Sequence, residues 1–142
     1  MTEKRIAVLF LVAMLLGLTA CAQSDNLIEN NLWNIATVQS TENNGAIIAC
    51  AQNTAASDAA LIDLSLSAQN GTLTLKDRTN AATYDGTYAI TDSDAQSTIY
   101  AVTLNGIDGT AVLSDTKYAD GTAHATLIMT IGNDTLTFYG KD

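Results

Sequence analysis

The acidic residues are the side chains of this 142-residue sequence that could most readily do chemistry. Two carboxylates that converge in a cleft can hydrolyse a glycosidic bond, one as general acid and the other as nucleophile or base. Nearly all of the candidates stand beside Gly, Asn or Ser, where Asp is expected because its side chain bonds to the backbone of a turn. The pattern therefore favours turns over a hydrolase. The candidate carboxylates are Asp63, Asp85, Asp92, Asp94, Asp108, Asp115, Asp120 and Asp134.

Residues 92–94 begin like a calcium-binding loop, which continues with Gly at its sixth position and a bidentate Glu at its twelfth. Ser97 and Thr103 occupy those two positions here, so the stretch does not match that loop. A weaker calcium site, built from several acidic turns at one end of the folded domain, is the remaining alternative. Since turn chemistry explains the same residues, we expect no metal site.

The nucleophiles and bases of common enzymes are scarce in this chain. His124 is the only histidine, and the alternation of the surrounding strand predicts that it faces solvent. No activated-serine motif is present, and no motif pairs a cysteine with a histidine. We therefore expect that the protein is not an enzyme and that it needs no cofactor.

The charge excludes one large class of partner. Beyond residue 20 the chain has 14 acidic and 4 basic residues, a net charge of −10. Binding to a phosphate backbone requires clustered Lys and Arg, which this chain lacks, so nucleic acid is not expected as a partner.

The first 20 residues have the pattern of an export signal. Lys4 and Arg5 precede an apolar run over 6–18, and the segment ends in small residues. A retained membrane-spanning helix is the alternative, but it would need about 20 apolar residues. The motif from Leu18 to Cys21 resembles the lipobox of bacterial lipoproteins. That resemblance implies cleavage before Cys21, a lipid on its sulfur, and attachment to a membrane on the exported side of the cell envelope.

The resemblance implies different roles for the two cysteines. A lipidated Cys21 cannot form a disulfide with Cys50, although the compartment is oxidising. Cys50 lies in the apolar stretch 47–51, which predicts a buried and inert thiol. A disulfide between two molecules is the minor alternative.

A change from polar residues to short apolar segments divides the rest of the chain into a polar tether, 21–29, and one domain, 30–142. Short segments of alternating apolar and polar residues follow one another through the domain, separated by turn residues. Asn70-Gly71 stands between two such segments, and Asn-Gly is a strong hairpin signal. A second turn, made of Asn105, Gly106, Asp108 and Gly109, is predicted to lead into a strand that begins at Ala111. The pattern predicts an all-β domain, a small antiparallel up-and-down barrel or a sandwich of about eight strands.

Trp33 stands near the start of the first predicted strand. A single Trp there, followed by a meander of about eight strands, is similar to small lipocalin-like barrels of bacterial lipoproteins. Lipocalins usually have Gly two residues before this Trp, whereas this chain has Asn31. The resemblance implies a cavity for a small molecule, but a Trp at a barrel end also serves as a plug of the core.

Tyrosines are the remaining candidates for recognition, because Tyr joins a rigid apolar ring to a hydrogen-bonding tip. Tyr84 and Tyr88 share one face of a predicted strand. With Trp33 and Tyr100 they form the predicted ligand-binding set; cross-strand packing is the alternative role for these rings.

Location and composition together favour a binding module anchored at a membrane. Its expected partner is a small apolar ligand or an envelope protein. The alternatives are a protein-interaction or inhibitor lipoprotein that uses its acidic surface, and, last, the carboxylate hydrolase.

Overall fold

The protein forms an eight-stranded antiparallel barrel in a computed structural model that describes residues 27–51 and 58–141. The barrel closes because β1 pairs with β10, and β2 and β3 extend the sheet beside β1. This confirms the predicted all-β fold and selects the barrel over the sandwich. The strands are β1 (Leu32–Ser40), β2 (Ala46–Cys50), β3 (Ala60–Leu61), β4 (Leu64–Gln69), β5 (Thr72–Asp77), β6 (Ala82–Ser93), β7 (Ser97–Leu104), β8 (Ile107–Lys117), β9 (Ala123–Ile131) and β10 (Asp134–Lys141).

The hairpin predicted at Asn70-Gly71 is confirmed, and the second predicted turn is shorter than expected, since β8 already begins at Ile107. Asn70 and Gly71 have φ of 50° and 80°, and Asn105 and Gly106 have φ of 50° and 77°. Positive φ at both central residues gives a turn whose twist matches that of the strands it joins. The turns connect β4 to β5 and β7 to β8.

The interior of the barrel is one continuous apolar cluster. Alternate residues of each strand point inward, as Leu73 and Leu75 of β5 and Leu127 and Met129 of β9 illustrate. The other strands contribute in the same way. The buried members of the cluster are Ile28, Trp33, Ile35, Val38, Ala49, Leu64, Leu66, Leu73, Leu75, Tyr100, Val102, Leu104, Ala111, Leu113, Leu127, Met129, Leu136 and Phe138.

Two inward-facing glycines allow the strands to approach closely. A Cβ added at Gly86 would lie 2.0 Å from the carbonyl oxygen of Thr103, and one added at Gly109 would lie 2.1 Å from that of Thr130. Real side chains do not approach backbone this closely, so both positions require glycine.

β1 holds the barrel together because it contacts three other strands. It pairs with β10 along its whole length, while its start pairs with β4 and its end pairs with β2. The register with β10 shifts between Ile35 and Thr37, where Ala36 is also buried. This irregularity marks the point at which the second neighbour of β1 changes from β4 to β2.

The export signal, Cys21 and most of the predicted tether lie outside the described residues. Within the described residues, no helix is both long and apolar enough to cross a membrane. Cys50 is buried, as predicted, at 1% exposure.

Candidate binding site

One end of the barrel is closed by a segment of the chain itself. Residues Ile28–Asn30 form a single 3₁₀ turn just before β1, and we call this turn the plug. The side chain of Ile28 is fully buried among the core residues. We call this the plugged end of the barrel; the turns between β4 and β5, β6 and β7, and β8 and β9 lie at the same end.

Two aromatic side chains hold the backbone of the plug. The indole Nε1–H of Trp33 donates a hydrogen bond of 2.8 Å to the carbonyl oxygen of Ile28. The backbone N–H of Ile28 donates one of 3.1 Å to the hydroxyl oxygen of Tyr100. Because both polar groups of Ile28 are satisfied, the plug enters an apolar site without leaving an unpaired donor or acceptor at that residue.

A third aromatic residue ties the plug at its exposed edge. The hydroxyl of Tyr88 donates to the carboxylate of Glu29, and the ring of Tyr88 meets that of Tyr100 edge-on, with centroids 5.9 Å apart. Burial raises the pKa of both tyrosines above its ordinary value. For Tyr88 the acceptor Glu29 adds to this rise in pKa, since a phenolate facing a carboxylate would be repelled.

Three of the four residues predicted to bind a ligand therefore meet at one place, namely Trp33, Tyr88 and Tyr100. Tyr84 lies four residues before Tyr88 on the same face of β6, opposite Leu75, and packs against the core farther from the plug. What these aromatic side chains contact is the protein's own plug.

The plug itself is absent from the residues predicted to form the site. Ile28 and Glu29 fall in the stretch predicted to be a polar tether, and their structure shows them against the barrel. The available signal is the apolar pair Leu27 and Ile28, which interrupts the polar residues on either side.

Two of the surface depressions lie at the plugged end of the barrel. One, of about 470 Å³, is lined by Glu29, Asn30, Asn31, Leu32, Ser67, Ala68 and Lys141. The other, of about 660 Å³, lies between the β6–β7 turn and the end of β8 and is lined by Ala95, Gln96, Ser97, Ser114, Asp115 and Lys117. Both open to solvent, and neither is lined by Trp33, Tyr84, Tyr88 or Tyr100.

Asp94 and Asp120 act within turns, as the sequence predicts, whereas Asp85, Asp92, Asp108 and Asp115 lie within strands β6 and β8 and were wrongly assigned to turns. The Oδ1 of Asp94 accepts the backbone N–H groups of Gln96 and Ser97 at 2.7 and 2.8 Å, and these bonds lower the pKa of Asp94. Asp120 accepts both the hydroxyl and the N–H of Thr122, which lowers its pKa as well. These two acids stabilise turns.

Two further chemical candidates, His124 and Asp63, lie at exposed positions. His124 is exposed, as predicted, and its ring meets that of Tyr118 edge-on at 5.2 Å. Asp63 forms an exposed ion pair of 3.0 Å with Arg78. Across residues 27–51 and 58–141, no group of three His, Cys, Asp or Glu side chains is placed to hold a metal ion.

The chain matches no protein-family model, and neither a curated protein nor a solved structure matches it.

Proposed function

We propose that this chain is a lipid-anchored lipoprotein of the bacterial cell envelope that binds a small apolar ligand at the plugged end of its barrel. The lipobox ending in Cys21 supports the anchor and the exported location. The absence of a matched acid–base or nucleophile motif in the sequence favours binding over catalysis.

The observation that carries the binding proposal is the burial of Ile28. Its apolar side chain occupies the barrel end, while Trp33 and Tyr100 hold its carbonyl oxygen and its N–H. The same two aromatic groups offer one donor and one acceptor to a ligand with an apolar body and a polar end. The plug thus occupies the site as a ligand of that shape would.

Binding then requires the plug to leave, because the side chain of Ile28 already occupies this place among the core residues. The affinity for a ligand is reduced by the fraction of molecules in which the site is open. Weakening the plug should therefore increase the affinity, whereas weakening an ordinary pocket residue should decrease it.

The experiment measures binding of a fluorescent long-chain fatty acid to the full chain in detergent. Ile28→Ser should increase the affinity at least about tenfold over the wild type, since it removes the side chain that competes for the site. The matched control is Ile107→Ser, because Ile107 lies at the opposite end and is 49% exposed. This control should bind the fatty acid as weakly as the wild type does.

A milder variant guards against a loss of folding. Tyr88→Phe removes the hydrogen bond to Glu29 while the core residues stay in place, and it should increase the affinity in the same direction by a smaller factor. Equal binding by Ile28→Ser, Tyr88→Phe and Ile107→Ser, with circular dichroism showing folded proteins, would reject the ligand site.

The acidic surface supports a second candidate, a protein-interaction lipoprotein. The described residues include 12 acidic and 4 basic side chains. Acids such as Glu42, Asp94 and Asp120 lie at turns, where a basic partner could reach them. A partner held in this way should co-purify at low salt and be lost at about 0.3 M salt, because screening weakens exposed charge pairs.

A further inference from the structure

The depression of about 470 Å³ at the plugged end is lined partly by the plug and partly by the barrel. Glu29 belongs to the plug. Ser67 and Ala68 lie near the end of β4, and Lys141 ends β10, so these three residues belong to the barrel. Because the plug contacts β4, the depression lies beside the place that Ile28 occupies. When the plug leaves, part of the lining leaves with it and the barrel residues stay.

The two charged side chains of this depression are divided in the same way. The carboxylate of Glu29 is carried by the plug, and the ammonium group of Lys141 is carried by the barrel. Lys141 stands opposite Leu32 in the pairing of β10 with β1, which fixes its position. Within the described residues the ion pair joins Arg78 to Asp63, and Lys141 forms none. An opened site therefore loses its acid and keeps a base that can bind an anion.

The plug itself shows what shape of molecule the site accepts. Ile28 is its one buried residue, and the next residue, Glu29, carries a carboxylate at the exposed edge. An apolar group in the core, followed by a carboxylate at the edge, is also the arrangement of a single-chain fatty acid. Leu32, which is 44% exposed, offers apolar surface beside Lys141 for the carbons next to the head group. Shape and charge together favour an anionic ligand over a neutral one.

The acidity of the whole protein is compatible with such a ligand. Charges farther away than about 8 Å are largely screened at physiological ionic strength, so a bound head group responds mainly to the side chains around it. Glu29 is the acidic residue among those that line the depression. Since Glu29 leaves with the plug, the nearest charge to an incoming anion is that of Lys141.

We propose that the ligand admitted when the plug leaves is a fatty acid in its ionised form, and that Lys141 binds its carboxylate. This rests on the proposed function and names the class of ligand for the same site. A hydrogen bond between an ammonium group and a carboxylate is stronger than one between neutral groups. The affinity should therefore depend on the charge of the head group and on the charge of residue 141.

The test compares two fluorescent probes of equal chain length that carry the same fluorophore, a fatty acid and the corresponding fatty alcohol. Binding is measured at about pH 8, where the acid is ionised, to the full chain with Ile28→Ser, in which the site is open. The fatty acid should bind at least about fivefold more tightly than the alcohol. Adding Lys141→Met should lower the affinity for the acid by about fivefold and leave that for the alcohol unchanged.

The matched control is Lys117→Met in the same Ile28→Ser chain. Lys117 lines the other depression at the plugged end, so the two substitutions change the net charge equally and differ only in place. Lys117→Met should keep the preference for the acid. Comparing the two variants also cancels the different partition of acid and alcohol into detergent. Lys141→Arg retains a positive charge and should retain most of the preference, whereas a purely structural role of Lys141 would not distinguish the two probes.

Failure of this proposal and failure of the proposed function are distinguishable. Equal binding of acid and alcohol to Ile28→Ser, unchanged by Lys141→Met, would overturn the anionic ligand and leave the site in place. Equal losses for Lys117→Met and Lys141→Met would overturn the contact with Lys141. Tighter binding of a single-chain alkyl phosphate than of the fatty acid would overturn the assignment of a carboxylate. If neither the acid nor the alcohol binds Ile28→Ser more tightly than Ile107→Ser, the site itself is rejected.

Discussion

At the plugged end of the barrel, a buried isoleucine is held by Trp33 and Tyr100, whereas at the opposite end polar residues stabilise turns. Ile28 and Tyr100 are 72 positions apart and their contact is buried. At the opposite end, Asp77 accepts hydrogen bonds from the N–H and the Nδ2 of Asn80, three positions away. There too, Asn133 donates to the carboxylate of Glu42 in an exposed contact.

The difference teaches that the plug and the turns of the opposite end depend on different forces. The plug is stabilised by removing apolar surface from water, a large effect that also requires the barrel to be assembled. The turns of the opposite end are stabilised by hydrogen bonds, as the turns of Asp94 and Asp120 at the plugged end also are, and each bond contributes about 0.5–1.5 kcal/mol net. Substitutions at the two ends should therefore differ in size and in their response to pH.

The largest effect is expected from Trp33→Ala at the plugged end. Trp33 is fully buried and also bonds to Ile28, so the substitution opens a cavity and leaves a carbonyl unsatisfied. The free energy of unfolding should fall by about 3–5 kcal/mol. Urea denaturation followed by circular dichroism measures it. Trp33→Phe keeps an aromatic ring and should lower the free energy of unfolding by less. Equal losses for Trp33→Ala and Trp33→Phe would show that the packing of the ring contributes little.

The second prediction compares isoleucines at the two ends. Ile28→Ala should lower the free energy of unfolding by about 2–4 kcal/mol, because its side chain is fully buried. Ile107→Ala, at the opposite end and 49% exposed, should cost under about 1 kcal/mol. Thermal and urea unfolding measure both variants. If Ile28→Ala and Ile107→Ala lose similar amounts of stability, the plug is not an integral part of the core.

The third prediction concerns pH at the opposite end. The side chain and the backbone of Asn80, together with Thr79, lower the pKa of Asp77 from 3.8, although burial opposes them. Since the folded pKa is the lower one, the stabilisation is present above pH 4 and is lost as the pH falls through that folded pKa. Asp77→Asn should cost about 1–2 kcal/mol at pH 7.

Unfolding of wild type and Asp77→Asn, measured at pH 7 and at several values below 4, gives the difference in stability at each pH. The difference should shrink as the pH falls. If the difference stays constant down to pH 2.5, the lost stability comes from the changed packing and hydrogen bonding of the side chain rather than from the charge of Asp77.

The smallest effect is expected from Tyr88→Phe. Its hydrogen bond to Glu29 is exposed, so breaking it should lower the free energy of unfolding by under about 1 kcal/mol. Glu29→Gln serves as a comparison, because an amide oxygen still accepts a hydrogen bond. A loss above 2 kcal/mol for Tyr88→Phe alone would place the tyrosine hydroxyl among the main supports of the plug.

The strands were predictable because their signals are local. Alternation and Asn-Gly turns lie within a few residues of one another, and closure of the sheet follows from a meander with few helices. The plug was not predictable in this way, since its meaning depends on a contact between Ile28 and Tyr100 that no local pattern contains. The change of neighbours along β1 depends likewise on strands far apart in sequence.

The candidate site was predictable in part for the same reason. Residue type alone selected Trp33, Tyr88 and Tyr100, and the structure brings these three together. Their present contact, the plug, lies in a stretch whose polar composition favoured a tether. Residue type indicates what a side chain can recognise, whereas only the fold indicates what it contacts.

The pairing of β1 has a mechanical consequence. A pulling force applied to the chain ahead of residue 27 reaches the plug first and then the start of β1. β1 is hydrogen-bonded to β10 along its whole length, so a force along the strand loads these bonds together, in shear, instead of peeling them apart one by one. The barrel is thus built to resist traction from its own N-terminal side, and the plug is the first part to yield.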